Sequence, residues 1–154
     1  MGTNLGDKEK NLQDAVIEIN KRVGKVTSLS AFYETAPWGF ESENSFINAA
    51  CEIETSCSPL EVLSKTQEIE RDLGRIKKSV NGIYSDRLID IDILLYEDMI
   101  MESTELTIPH PLMLKRDFVM NPLLDIASEV IHPVLKKKLK DLYPQSDECV
   151  IGEC

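Results

Sequence analysis

Basic residues are in short supply in this chain: 17 Lys and Arg stand against 27 Asp and Glu, giving a formal net charge of -10 and a pI near 4.7. An acidic surface repels phosphate backbones and anionic headgroups, so neither a general nucleic-acid binder nor a membrane-docking protein is expected. No apolar run approaches the roughly 18 residues of a membrane span. The opening Met1-Gly-Thr-Asn-Leu-Gly-Asp7 lacks the basic and apolar regions of a signal peptide, and a cytoplasmic location is expected. Cysteines are few, at 51, 57, 149 and 154. They form no Cys-x2-Cys pair and are joined by only two histidines, which argues against a Cys/His zinc site and for reduced thiols. Neither a Gly-x4-Gly-Lys-Ser/Thr loop nor a Gly-x-Gly-x-x-Gly turn occurs, so a bound nucleotide is held by some other device.

What is present suffices for one domain. The 154 residues, 42% of them apolar, can bury a core without disulfide or metal staples. No repeat, low-complexity tract or linker interrupts residues 1–154. Asp7 reads as an N-cap, and Leu12, Ala15, Val16, Ile19 and Val23 recur at helical spacing up to Gly24, which predicts a helix over 7–24. Residues 26–35 and 46–55 read as strands; in the second, Ile47, Ala49, Cys51 and Ile53 share one face, and Phe46, Asn48 and Ala50 the other. Ser58-Pro-Leu-Glu61 is a capping box with Pro at the first helical position; Val62, Leu63, Thr66, Ile69 and Leu73 make the inner stripe, and Gly74 is the expected end. Residues 88–96 are the most strand-like run of all. Helix, strand, strand, helix, strand suggests an α+β fold with helices covering one face of an antiparallel sheet. A strand ahead of Gly2 would make the order β-α-β-β-α-β, the ferredoxin-like split motif.

Asp90 and Asp92 are the most suggestive residues. Separated by two in a strand, both carboxylates fall on one face while Ile89, Ile91 and Ile93 take the other. Oxygen-only ligands in this arrangement suit Mg²⁺ with phosphate and water oxygens. A solvated polar strand face explains the pair equally simply. The preceding segment adds Arg71, Arg75, Lys77, Lys78 and Arg87 against Asp72 and Asp86. Carboxylates that hold a metal, followed by cations that neutralise phosphate, are the parts of a metal–polyphosphate site. His110, between two prolines, is either a stiffly held phosphate donor or a structural turn residue. Trp38, Phe46 and Phe118 are candidates for stacking on a flat heterocycle, with an amide such as Asn48 reading its edge.

Several segments then resemble the 6-hydroxymethyl-7,8-dihydropterin pyrophosphokinase family. Arg87-Leu-Ile-Asp-Ile-Asp92 resembles its Arg-x-Leu-Asp-Ile/Leu-Asp signature, and Gly2-Thr-Asn-Leu-Gly-Asp7 its opening Gly-Ser/Thr-Asn-Leu-Gly-Asp. Phe32-Tyr-Glu-Thr-Ala-Pro-Trp-Gly39, Phe46-Ile-Asn-Ala-Ala50, Gln67-Glu-Ile-Glu-Arg-Asp-Leu-Gly-Arg75 and the run from Leu106 to Phe118 are similar to further family segments, in order along nearly the whole chain. The resemblance implies transfer of pyrophosphate from ATP to the hydroxymethyl group of the pterin, with release of AMP, in folate biosynthesis. It implies two Mg²⁺ ions on Asp90 and Asp92, with Arg75 and Arg87 joining them in catalysis. It also implies a pterin pocket of Thr35, Trp38, Phe46, Asn48 and Phe118, and an ATP site of Gln67, Glu70, Lys77, Lys78, Thr107, His110 and Arg116. A monomer is expected.

The chain departs from the family pattern in three places. Tyr84-Ser-Asp86 stands where Trp-Gly-Pro is usual, and Pro111 where some members carry Tyr. Family members also begin with an apolar strand ahead of the glycine-bearing opening; here that strand is expected to be missing, leaving a vacancy beside 46–55 or 88–96. Two other functions compete. A non-catalytic ferredoxin-like small-molecule binding module leaves the aspartates and the basic segment unused. A palm-like nucleotidyltransferase also uses paired aspartates, but the net charge of -10 opposes a polynucleotide substrate.

Overall fold

The computed structural model of the chain describes residues 1–3, 7–35, 46–76 and 89–143. Strand β1 (Gly2–Thr3) leads to helix α1 (Lys8–Arg22), whose first turn is capped by Asp7 accepting from the Lys10 N–H at 3.2 Å. The helix closes through the Gly24 N–H, which donates to Ile19 O. A Cβ at Gly24 would lie 2.2 Å from Glu54 O, so glycine is required for this turn to pass over the sheet. The expected strand over 26–35 is two strands, β2 (Lys25–Leu29) and β3 (Tyr33–Thr35); that over 46–55 is likewise β4 (Phe46–Asn48) and β5 (Cys51–Glu54). Both runs break at the same level because Ser30 and Ala50 meet there: Ser30 N–H donates to Ala50 O, and the Ser30 hydroxyl accepts from Ala50 N–H at 2.8 Å. On one side of the break β2 pairs with β5, and on the other β3–β4–β1 form a sheet, all antiparallel.

The alternation of the second run places two cores. Ile47 and Ala49 pack with Leu12, Ala15 and Ile89, and Cys51 and Ile53 pack with Ile19, Val23, Val62 and Ile69, so α1 and helix α2 (Pro59–Ile76) cover one face. Ala50, from the opposite face, joins Met113, Met120, Leu123 and Leu139. Helix α3 (Asp117–Ala127) therefore covers part of the second face, where helices were expected on one face only. The hydroxyl of Tyr33 donates to Asp125 at 2.7 Å and Asp125 also accepts from Ala31 N–H, which latches α3 to β3. That bond pushes the Tyr33 phenol up to about 12. Arg22, paired with Glu18 of its own helix at 2.9 Å, joins α1 to α2 through Asp72 at 2.8 Å. The described tail adds a small hairpin, β6 (Met101–Glu102) with β7 (Thr107–Ile108), and a short helix α4 (Leu139–Leu142).

Two expectations about element limits are corrected. Helix α2 begins with the expected reciprocal cap, Ser58 N–H to Glu61 at 2.7 Å and Glu61 N–H to the Ser58 hydroxyl at 3.3 Å, but it runs past Gly74 to Ile76. Glycine weakens a helix interior by about 1 kcal/mol, too little to end one that packs along its length. Of the expected strand 88–96, the described residues 89–96 keep the alternation, with Ile89, Ile91 and Ile93 inward and Asp90 and Asp92 exposed, yet they form no ladder. Its single pairing is at Asp90, whose N–H and C=O both bond Gly2 at 2.9 Å. A strand requires a neighbour. Beyond Met1 the space between β5 and residues 91–96 is an open slot, walled by Cys51, Ile53 and Thr55 on one side and Ile91, Ile93 and Tyr96 on the other.

Two outcomes follow from this packing. A chain extended upstream of Met1 by about five apolar β-branched residues should melt higher, by about 2–4 °C for each kcal/mol gained. Equal melting temperatures for the two chains would show that the slot accepts no strand. The second concerns His132, which is buried and accepts the N–H groups of Val134 and Leu135 on Nδ1 at 3.2 Å each. Burial holds its pKa below the ordinary 6.5. The unfolded chain then takes the proton first, so this turn contributes its full stability above pH about 6.5 and loses it as pH falls through the lower folded value. Urea midpoints at pH 7 and pH 5 should differ less in His132→Asn than in the wild type; an unchanged difference defeats the assignment.

Candidate active site

The slot is part of one cavity of about 910 Å³, which is also bordered by Phe46, Asn48, Asp90, Asp92, Arg116 and Phe118. Residues from β4, the 89–96 segment and the start of α3 thus converge, although 72 positions separate Phe46 from Phe118. A second recess of about 250 Å³ is bordered by Asp92, Leu63, Thr107, His110 and the 103–106 turn. Asp92 borders both.

Asn48 sits in the middle of the β1–β4–β3 sheet, paired with Gly2 and Tyr33, and is 7% exposed. Its Nδ2 is a buried donor without a hydrogen-bond partner. A buried amide of this kind costs on the order of 1–3 kcal/mol unless a partner arrives. Gly2 makes the position possible, because a Cβ there would lie 2.4 Å from Asn48 Oδ1. Gly2 thus serves the sheet and Asn48. Phe46 and Phe118 are 45% and 41% exposed on the same cavity, unusual for aromatic side chains with a core available. The Arg116 guanidinium lies 5.6 Å from the centroid of the Phe118 ring, a cation–π contact that steadies both at the rim.

Asp90 and Asp92 are exposed on one face, as alternation requires, and both border the larger cavity. Their oxygens are the right donors for a hard divalent cation. Among the described residues no group of three or more His, Cys, Asp or Glu side chains converges as a metal site. A cation on this pair would complete its shell with water and phosphate oxygens, the habit of Mg²⁺. In the smaller recess, His110 N–H donates to Leu94 O at 2.9 Å, and its Nδ1 accepts from Leu112 N–H at 3.1 Å. With Nδ1 spent as an acceptor, the neutral ring carries its proton on Nε2, where it is a donor.

The other expected residues divide. Glu70 does not border either recess; its Oε2 accepts from Ile91 N–H at 2.6 Å, between the two aspartates. Gln67 is exposed on α2 and borders neither recess. Thr35 ends β3 opposite Phe46, and Arg75 lies in the last turns of α2. Trp38, Lys77, Lys78, Arg87 and the Tyr84-Ser-Asp86 departure lie outside the described residues. Sequence reasoning missed Leu63 and Ser103 at the smaller recess, since nothing marks an ordinary leucine or serine as a pocket wall before the chain is folded.

An apolar slot with an unpaired amide at its edge, two exposed rings and an adjoining pair of carboxylates thus lie together on an α+β scaffold. Residues 1–128 match the family described as 7,8-dihydro-6-hydroxymethylpterin-pyrophosphokinase. The chain belongs to that family. It is 48% identical over 134 residues to a 2-amino-4-hydroxy-6-hydroxymethyldihydropteridine pyrophosphokinase of Porphyromonas gingivalis, covering 86% of this chain and 90% of that one. The enzyme of the same name from Aquifex aeolicus is 37% identical over 146 residues, 95% of this chain and 89% of its own length. The folic acid synthesis protein fol1 of Schizosaccharomyces pombe is 41% identical over 141 residues, which span 91% of this chain and 19% of that longer protein.

The contact between Gly2 and Asn48 can be tested directly. Gly2→Ala should destabilise the protein by about 1–3 kcal/mol, because the new methyl meets an amide that buried neighbours hold in place. Combined with Asn48→Ala it should cost little more than Asn48→Ala alone, since the clash is gone. Additive losses in denaturant melts of the double variant would show that the two residues do not meet.

Proposed function

We propose that this chain transfers pyrophosphate from ATP to the hydroxymethyl group of 6-hydroxymethyl-7,8-dihydropterin, releasing AMP, a step of folate biosynthesis. The observation that carries this is the single cavity bordered by Phe46, Asn48 and Phe118 together with Asp90 and Asp92. Family membership supplies the substrates; the cavity accounts for how they meet. Phe46 and Phe118 stack on the two faces of the pterin, and the Asn48 amide, otherwise unpaired, donates to an acceptor on its edge. Thr35 and Trp38 complete that pocket. Asp90 and Asp92 hold two Mg²⁺ ions, which when bound neutralise the charge of the polyphosphate.

The chain's own residues supply orientation and charge. His110 donates from Nε2 to a phosphate oxygen in the smaller recess, beside Thr107, and Arg116 offers its guanidinium at the mouth of the larger one. Gln67, Arg75, Lys77, Lys78 and Arg87 surround the rest of the ATP. The pterin hydroxyl oxygen attacks the β-phosphorus in line, the bond from that phosphorus to the α–β bridging oxygen breaks, and the hydroxyl proton passes to solvent as AMP leaves. Positioning of two bound reactants dominates, so no dedicated general base is needed. Residues 1–154 form one domain with a ferredoxin-like sheet. The enzyme acts as a cytoplasmic monomer; among the described residues no helix is long and apolar enough to cross a membrane.

The test replaces one charge at a time. Asp90→Asn and Asp92→Asn keep shape and hydrogen bonding, and each should lower single-turnover AMP release by about 10²–10³-fold. Pterin affinity without nucleotide should stay near wild type, because Phe46, Asn48 and Phe118 need no metal. A non-catalytic binding module instead shows no pterin-dependent AMP at any Mg²⁺ concentration. Wild-type rates in both variants would falsify the assignment of the metal pair.

A further inference from the structure

We propose that Glu70 is a positioning residue for the two aspartates, acting through the backbone amide that lies between them. The proposal rests on the activity put forward above for what Asp90 and Asp92 do, but not for how they are held. Asp90 directs both its N–H and its C=O to Gly2, at 2.9 Å each. Successive residues of an extended chain turn their backbone polar groups to opposite sides. The Ile91 N–H therefore points away from β1, toward an edge along which no strand of the described structure runs. Glu70 meets it there, with Oε2 at 2.6 Å. A carboxylate accepting a backbone N–H at that length makes a strong, charge-assisted bond.

The placement follows from α2. Ile69, fully buried, belongs to the core against which the Ile91 side chain packs, so successive residues of one helix turn grip the side chain and the backbone of the same residue. From 91 to 96 no ladder holds the chain. The segment bearing both carboxylates is thus gripped laterally at two adjacent points, by Gly2 on one side and Glu70 on the other. One Glu70 oxygen is engaged by this backbone amide, and no three such groups converge as a metal site among the described residues. A bridging polyphosphate needs the two aspartates at a set spacing, and a loose edge costs rate even when both are present.

Glu70→Gln and Glu70→Ala separate this role from others. The first readout uses no substrate: hydrogen exchange of the Ile91 amide, followed by NMR. Protection at Ile91 should drop in Glu70→Ala and be largely recovered in Glu70→Gln, whose amide oxygen still accepts. The second readout is the Mg²⁺ concentration that half-saturates AMP release. It should rise by about tenfold or more in Glu70→Ala and return most of the way in Glu70→Gln, while pterin affinity without nucleotide stays fixed. Glu70→Gln as impaired as Glu70→Ala, or Glu70→Ala with wild-type protection at Ile91, overturns the proposal. If Glu70→Ala does not fold, Glu70→Gln decides alone: retained protection supports the bond and lost protection overturns it. A wild-type protein that releases no AMP removes the activity assigned above, while exchange at Ile91 still decides the role of Glu70.

Discussion

Everything in the site hangs on a two-residue strand. Gly2 is paired with Asn48 on one side and with Asp90 on the other, so β1 stitches the Asn48 edge of the cavity to its acidic edge. A glycine there leaves the Asn48 amide in place, because a Cβ would lie 2.4 Å from Asn48 Oδ1. The requirement has little to do with backbone flexibility and everything to do with how closely two chains approach. The carboxylates and the amide belong to segments far apart in sequence, and their common reference is this seam.

Away from the seam, the acidic segment is held by means other than a ladder. Its inward residues Ile89, Ile91 and Ile93 lock its face against α1 and α2, which determines that Asp90 and Asp92 look outward. Its backbone is met by a carboxylate at Ile91 and by His110 N–H at Leu94. Apolar packing sets which way the side chains point, and a few polar contacts set where the backbone lies. The slot alongside is lined by Cys51 and Ile53 of β5 on one side and by Ile91, Ile93 and Tyr96 on the other.

The cavity also shows where stability is given up for readiness. Asn48 carries a buried amide donor with no partner, and two phenylalanines stay largely in solvent while a core lies close at hand. Each is unfavourable in the empty protein and becomes favourable around a flat, polar-edged ligand. The latch from Tyr33 to Asp125 holds α3, and with it Phe118, against the strand that leads toward Phe46. The ring pair is therefore supported by regular elements on both sides.

Much of this was legible from residue order. The Asp7 cap, the Ser58–Glu61 box and the two-residue alternation of 46–54 and 89–93 are local signals, because a cap involves residues three apart and a strand face depends only on parity. Parity alone put Asp90 and Asp92 together, and put Phe46 and Asn48 on one strand face. Tertiary structure decided the rest. It broke each long strand at Ser30 and Ala50, carried α2 past Gly74, laid α3 on the second face and left 91–96 without a ladder. It also brought Phe118 to Phe46 and set Glu70 on the Ile91 amide. These depend on which distant segments become neighbours, and hydrogen bonds and close packing between such segments leave no periodic trace in the order of the residues.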